Sequence, residues 1–317
     1  MKRILTTLLT LLLILSLCGC NETGEKTYIV GICQLVTHDA LDAATQGFKD
    51  VLTEEFGDKV QFIEGNAAGD SATCSNICNG FVSDNVDLIL ANATASLQAA
   101  SAATTTIPIL GTAITEYGVA LNIDDFSGTV GTNISGTSDL APLDQQAEMF
   151  KELLPNVTKV GIIYCSGEAN SLYQVKVVKD ALEKMGITVS TYSFSNSNDI
   201  SLVTSQAVDE CEALYIPTDN SAASCAEIIG SICLDKNIPV ICGEEGTCKA
   251  CGIATLTIDY YQLGVLTGQM AVKILKGEAD VKNMAIEYYP NPVKKYNADI
   301  CSRLGIEIGS DYIAIED

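Results

Sequence analysis

An internal repeat is the feature that most limits the folds open to this chain. Residues 30–52 (VGICQLVTHDALDAATQGFKDVL) align without a gap with residues 160–182 (VGIIYCSGEANSLYQVKVVKDAL), and both segments open with Val-Gly-Ile and close with Lys-Asp-x-Leu. Residues 86–100 (VDLILANATASLQAA) correspond in the same way to residues 211–225 (CEALYIPTDNSAASC). Because the matching segments follow the same order in each half, the sequence predicts two similar structural units.

Each half has the pattern βαβαβαβ. The predicted strands lie near residues 27–32, 59–64, 87–91 and 107–110, and again near 158–164, 188–193, 212–216 and 238–242. Short apolar strands that alternate with helical segments are typical of a parallel sheet covered by helices on both faces. The length of 317 residues also suits two domains. We therefore predict an α/β protein with two similar, doubly wound parallel-sheet lobes.

Three further segments are predicted to join the lobes. Residues 128–142 should carry the chain into the second lobe, residues 255–264 should carry it back, and residues 287–297 should cross once more. The predicted lobes are residues 28–136 with 258–287, and residues 137–257 with 288–317. Three crossings make a hinge with limited freedom, which favours closure of one lobe onto the other.

The first residues have the layout of a secretory signal peptide. A basic start (Lys2, Arg3) precedes an apolar segment and small residues, so residues 1–19 are predicted to be removed. The junction Leu17-Cys18-Gly19-Cys20 resembles the bacterial lipobox, which makes Cys20 the predicted lipidation site. Residues 20–27 would then form a lipidated tether to the outer face of the cell membrane. The alternative is an ordinary cleaved signal peptide with an incidental cysteine.

The net charge excludes some classes of partner. The formal charge is −22, and it becomes more negative once Lys2 and Arg3 are removed. Such a surface repels nucleic acid and anionic lipid headgroups, and no Lys/Arg cluster offsets this. We expect no nucleic-acid partner and no membrane contact other than the lipid anchor.

Cysteine and histidine content bears on catalysis. Of 13 cysteines, Cys18 and Cys20 lie at the predicted cleavage junction, and most of the other eleven occupy apolar positions, as small buried side chains would. His38 is the only histidine, which disfavours Ser/His/Asp or Cys/His catalysis and indicates a protein that is not an enzyme. Cys248 and Cys251 form a C-x-x-C motif, for which a metal or redox role is the alternative to a structural one. We expect no metal and no cofactor.

A ligand site is predicted between the two lobes. In doubly wound sheets, ligands bind beyond the carboxyl ends of the strands, where loops lead into helix N-termini. The turns at these positions are rich in Thr, Asn, Asp and Ser: QLVTHD (34–39), NATAS (92–96), SGEANS (166–171), PTDNS (217–221), GTAIT (111–115) and GEEG (243–246). The same residue types also serve as ordinary helix N-caps without any ligand.

Several strings, in the right order over residues 28–310, resemble a known family. These are ICQLVTHDALDAATQGFKD, ISGTSDL, KELLPNVTKVGIIY, GEANS, YIPTDNSAAS, GEEG and IDYYQLGVLTGQMAVKILKG. They are similar to the substrate-binding lipoproteins of ABC transporters of the tryptophan/tyrosine-binding type. The resemblance implies a type I periplasmic-binding-protein fold and capture of a free amino acid, tyrosine or tryptophan in particular, for an ABC permease and its ATPase. Family members usually have His-Pro where this chain has His38-Asp39.

A free amino acid needs a receptor for each charged group. Helix N-termini stabilise anions, so Thr94, Ala95 and Ser96 are the predicted carboxylate site, with Asn170 and Ser171 as the equivalent in the second lobe. A buried ammonium needs an ionised acceptor, for which Asp219 is the first candidate, ahead of Asp139 and Glu245. The remaining candidates are neutral hydrogen-bond partners (Gln34, Thr115, Asn220) and aromatic side chains for the ligand ring (Tyr117, Tyr173, Tyr260).

One alternative from another functional class fits the same residues. A binding fold can be reused as a surface adhesin or as the ligand-sensing partner of a membrane receptor, and nothing in the sequence of the turns separates these roles from transport.

Overall fold

The computed structural model describes residues 26–316, which form two α/β lobes. The first lobe contains a six-stranded sheet in the order β11-β5-β4-β3-β1-β2, in which every strand pair is parallel. Its strands are β1 (Tyr28–Gln34), β2 (Val60–Asn66), β3 (Leu88–Asn92), β4 (Ile109–Ile114), β5 (Ile134–Ser138) and β11 (Glu287–Tyr288). Its helices are α1 (Asp39–Phe56), α2 (Ser71–Ser83), α3 (Thr94–Ala103), α4 (Tyr117–Leu121) and α11 (Tyr260–Leu275).

The second lobe repeats this plan with seven strands in the order β13-β12-β10-β9-β8-β6-β7. The β10/β12 pair is antiparallel and the other pairs are parallel. Its strands are β6 (Lys159–Cys165), β7 (Thr188–Phe194), β8 (Ala213–Ile216), β9 (Val240–Cys242), β10 (Ala254–Thr257), β12 (Val293–Tyr296) and β13 (Ile313–Ala314). Its helices are α5 (Leu143–Leu153), α6 (Ala169–Lys184), α7 (Ile200–Glu210), α8 (Asn220–Ala223), α9 (Ala226–Lys236), α10 (Glu245–Cys251) and α12 (Ala298–Leu304).

The duplicated pattern predicted the architecture correctly. All eight predicted strands are present, and β1-β3 and β6-β8 pair in the same way in their respective sheets. Strand β5 was not predicted: residues 128–142 were assigned to a hinge crossing, but 134–138 extend the first sheet beside β4. The predicted lobe boundary at residue 137 therefore falls inside a strand, because Thr137 and Ser138 still pair with β11.

The predicted signal peptide and Cys20 lie outside the described residues, 26–316. Within that range, no helix has the length and apolar content that crossing a membrane requires.

The cysteines act as small apolar side chains, as predicted. Ten of the eleven in the described residues are buried and Cys225 is half-buried, and all of them are free thiols. Cys242 and Cys251 bring their sulfur atoms to 3.9 Å of each other in the core of the second lobe. Burial raises the pKa of Cys242 and of Cys248, which keeps both as neutral thiols. In residues 26–316, no cluster of His, Cys, Asp and Glu has the geometry of a metal site.

Candidate functional site

The two lobes meet along the carboxyl ends of their strands. His38, just before α1, places its Nε2 atom 3.1 Å from Oδ1 of Asn220 at the start of α8. The polar side chains of the turns on both sides are buried, although strand-to-helix turns usually face solvent: Thr94, Asp139, Asn170, Asp219 and Asn220 are at most 7% exposed. The lobes therefore enclose a polar region between them.

The first-lobe turn (residues 92–96), which joins β3 to α3, leaves its helix start open. No described side chain caps the first turn of α3. Ala93, the residue before the helix, has φ 85° and ψ 159°, a strained backbone conformation for a residue other than glycine. The ten-residue helix α3 thus begins with unpaired N–H groups and the positive end of its dipole, which suits a carboxylate.

The second-lobe turn (residues 217–221) joins β8 to α8 and is closed by protein carboxylates. Asp219 accepts hydrogen bonds from the Cys165 N–H (2.6 Å) and from the Ala222 N–H (2.8 Å), so both of its oxygens are occupied by backbone. Glu168, from the turn before α6, accepts from the N–H groups of Asn220 (3.1 Å) and Ser221 (2.8 Å). The amides that could bind a ligand carboxylate here are satisfied internally.

These contacts argue against the predicted role of Asp219 as the ammonium acceptor. Burial and then the neighbouring Glu168 charge raise the pKa of Asp219, which makes this carboxyl a weaker partner for a cation. With both oxygens bonded to backbone N–H groups, Asp219 serves as a helix cap and a link between β6 and β8.

Asp139, which follows β5, has an unpaired carboxylate oxygen, whereas Asp219 has none. Its Oδ2 accepts a hydrogen bond from the Tyr260 hydroxyl (2.9 Å), whereas its Oδ1 is buried and has no partner. Burial raises the pKa of Asp139 to about 6, while the hydrogen bond from Tyr260 and the nearby Thr115 side chain act in the opposite direction. An unpaired buried carboxylate oxygen is costly, so the site favours a ligand that brings a cationic donor.

The second lobe contributes another unpaired acceptor. The side-chain amide of Asn170 donates to the Thr218 carbonyl oxygen (3.0 Å) and to Glu168 (3.1 Å), but its Oδ1 is buried without a partner. The side chain of Thr218 lies close enough to Tyr260 to affect its pKa, and the Tyr260 hydroxyl donates to Asp139. Thr218 and Tyr260 thus link the two unpaired acceptors. In the described chain no Lys or Arg side chain is buried, so no protein cation competes for these acceptors.

Four residues of the predicted set point elsewhere. The amide of Gln34 bonds Asp42 and Val36 and its Oε1 accepts from Thr45, all within the first lobe. The Ser96 hydroxyl lies 3.6 Å from the thiols of Cys33 and Cys74. The other two are Glu245, which pairs with Lys295 (2.6 Å), and Tyr117, whose hydroxyl donates to the carbonyl oxygens of Gly111 and Thr137.

The remaining predicted residues lie in the polar region. Thr115 adjoins Asp139, Thr94 and Ala95 begin α3, and Ser171 shares the Asn170 and Asp219 cluster. Tyr173 is half-buried on α6 and lies near Glu116.

Sequence reasoning missed three contributors. Glu168 was inside the SGEANS turn but was passed over in favour of Asn170 and Ser171. Glu244 is 1% exposed and caps α10, although Glu245 was the residue selected from GEEG. The strained Ala93 carries no sequence signal, because alanine is not typical of positive φ.

The fold and this interlobe site define a solute-binding protein, and comparison with known proteins gives its family. The family model for the ABC transporter substrate binding protein matches residues 29–314, so the chain belongs to that family. A tyrosine-binding protein from Clostridioides difficile (strain R20291) is 36% identical over 262 residues, which cover 81% of this chain and 75% of the relative.

Two solved structures extend the comparison. An ABC domain from Streptococcus pneumoniae in complex with L-Trp is 31% identical with a TM-score of 0.86, covering 90% of this chain and 97% of the other. The ligand-free, open structure of a substrate binding protein with adhesive properties from Clostridium difficile is 37% identical, with a TM-score of 0.68 over 92% of this chain and 100% of the other. The more identical relative is thus the less similar in shape, which a difference in lobe orientation would explain.

Proposed function

We propose that this protein is the extracytoplasmic binding protein of an ABC importer and captures a free aromatic amino acid, tyrosine or tryptophan, between its lobes. The unpaired Oδ1 of Asp139 is the observation that carries the proposal, because a buried acceptor of this kind calls for an ammonium group. In this arrangement the ammonium binds Asp139 and Oδ1 of Asn170, and the carboxylate binds the open N-terminus of α3. Tyr173 is the aromatic side chain proposed to contact the ligand ring.

Hinge closure accompanies binding in this proposal. The contact between His38 and Asn220 joins the two lobes, and the greater similarity to the L-Trp complex than to the open relative supports a closed arrangement. Closure would remove water from the acceptors and strengthen their hydrogen bonds to the ligand.

A thermal-denaturation screen of the protein without residues 1–19 tests the proposal. A ligand at one hundred times its dissociation constant adds about 2.7 kcal/mol to the free energy of unfolding. We expect L-tyrosine or L-tryptophan to raise the melting temperature, and acidic amino acids to leave it unchanged because the site already holds buried carboxylates. Failure of every amino acid to raise it would contradict the proposal.

We also propose that Cys20 is lipidated after removal of residues 1–19 and holds the protein at the outer face of the cell membrane, where it meets a permease that is driven by a cytoplasmic ATPase. Metabolic labelling with a clickable fatty acid should mark the wild-type protein and leave Cys20→Ala unlabelled. Equal labelling of the two forms, or none of either, would contradict lipidation at this residue.

A surface adhesin is the second candidate function. It is favoured by one observation, the 37% identity to a substrate binding protein with adhesive properties. Binding of the purified protein to host cells, unaffected by Asp139→Asn, would show adhesion through a surface separate from the ligand site.

A further inference from the structure

A hinge tyrosine contacts the proposed ammonium acceptor. Tyr260 begins α11 inside the second predicted crossing (residues 255–264), and Asp139 lies in the first (residues 128–142). The hydrogen bond between them (2.9 Å) therefore joins two crossings that are 121 residues apart in the sequence. Both side chains are buried, at 7% and 4% exposed, so water competes little for this bond.

We propose that Tyr260 is a positioning residue for ligand binding: its hydroxyl occupies Oδ2 of Asp139, which leaves Oδ1 as the single oxygen that receives the ligand ammonium. This inference rests on the proposed function and adds to it the residue that sets the orientation of the acceptor.

Backbone contacts fix both partners. Helix α11 packs so closely on α1 that a Cβ atom at Gly264 would overlap the carbonyl oxygen of Ala44, and one at Gly47 would overlap that of Tyr261. Asp139 is held by its own N–H, which donates to the Ile114 carbonyl oxygen (3.2 Å). With the backbone fixed, the carboxylate group of Asp139 can still rotate, and the hydrogen bond from the Tyr260 hydroxyl restricts that rotation.

The surroundings explain why the acceptor needs this support. Burial is the main cause that raises the pKa of Asp139, and Glu244 from the second lobe raises it further, whereas the Tyr260 hydroxyl and Thr115 lower it. Tyr117 is another ionisable group near Asp139, and burial followed by the Asp139 charge raises its pKa, so it stays neutral. Tyr260 is thus the first of the groups that favour the ionised form an ammonium requires.

Carboxyl NMR titration of the ligand-free protein tests the pairing without reference to any ligand. We expect the titration midpoint of the Asp139 carboxyl to move to higher pH in Tyr260→Phe, because this variant lacks the hydroxyl that favours the ionised form. Tyr261→Phe is the matched control, since this neighbouring hydroxyl donates to the surface residue Asp50 (3.0 Å) and its loss should leave the midpoint in place. An unchanged midpoint in Tyr260→Phe would overturn the inference.

Affinity for L-tyrosine, measured by calorimetry over a range of pH, tests the consequence. Because Tyr260→Phe loses one charge-assisted hydrogen bond, we expect it to bind L-tyrosine about tenfold more weakly than the wild type near neutral pH. Part of this affinity should return as the pH rises. A uniform loss at every pH would indicate a purely structural role and would contradict positioning. If the wild type binds no amino acid while the NMR midpoint still moves, the proposed function fails but the pairing of Tyr260 with Asp139 stands.

Discussion

The first-lobe turn and the second-lobe turn occupy equivalent places in the repeat but satisfy their backbone amides in opposite ways. In the second-lobe turn, Asp219 and Glu168 accept hydrogen bonds from the N–H groups of three consecutive residues, 220–222. In the first-lobe turn, Ala93 and Thr94 offer no such acceptor, and the start of α3 is uncapped. The second-lobe turn therefore has a capped helix start, whereas the first-lobe turn leaves its amides without a side-chain acceptor among the described residues. The same contrast separates Asp219, whose oxygens are both bonded, from Asp139, which has one oxygen unpaired.

Removing the unpaired acceptor should have the largest effect. We expect Asp139→Asn to weaken amino-acid binding on the order of a hundredfold, because the variant keeps the shape but loses the charge that the buried ammonium needs. The melting temperature of the ligand-free protein should not fall, since an unpaired buried carboxylate is replaced by a neutral group. Calorimetry and thermal denaturation measure the two effects, and an affinity within threefold of wild type would assign the ammonium to another residue.

The next largest loss of affinity is expected when a carboxylate is introduced into the first-lobe turn, as Asp219 provides one in the second-lobe turn. Ala93→Asp places a negative charge at the start of α3, and repulsion of about 2 kcal/mol would weaken binding roughly thirtyfold. Ala93→Asn is the matched control, because it has the same size and no charge. If both variants lose affinity equally, steric exclusion rather than charge explains the loss, and the carboxylate site at α3 is not supported.

Acid should weaken binding because it neutralises the acceptor. The pKa of Asp139 is raised to about 6, so this carboxyl takes up a proton as the pH falls through 6 and must lose it again to bind an ammonium. At pH 5 about one tenth of the free protein would have Asp139 ionised, which predicts a dissociation constant roughly tenfold higher than at pH 7.5. This pH dependence should be absent in Asp139→Asn. A wild-type dissociation constant that does not change between about pH 5 and pH 7.5 would contradict Asp139 as the ammonium acceptor.

The smallest effect on affinity is expected in the second-lobe turn. Asp219→Ala removes a cap and leaves two buried N–H groups without an acceptor, so the free energy of unfolding should fall by about 2 kcal/mol. Affinity for the amino acid should stay within threefold of wild type. Asp219→Asn, which retains one acceptor oxygen, should lose less stability. A large loss of affinity in Asp219→Asn at unchanged stability would restore Asp219 as the ammonium site.

The sequence predicted the architecture well, because hydrophobic periodicity and the repeat are local signals. Strand β6, for example, was placed at 158–164 and is found at Lys159–Cys165. Strand β5 escaped prediction because its residues, ISGTS, are small and polar, as in a linker. The sequence ranked Asp219 ahead of Asp139 as the ammonium acceptor, whereas the contacts in the folded chain favour the reverse order. It depends on the Cys165 N–H and the Tyr260 hydroxyl, which approach them only in the folded chain.

The measurement that tests the central claim most directly is a calorimetric titration of the protein with L-tyrosine, its des-amino acid and its decarboxylated amine at neutral pH. L-tryptophan can be followed in parallel by its own fluorescence, because the protein contains no Trp. The account predicts binding of the amino acid, with large losses of affinity for both analogues and the greater loss for the analogue without the ammonium group. Equal affinity for the des-amino acid and L-tyrosine would contradict it.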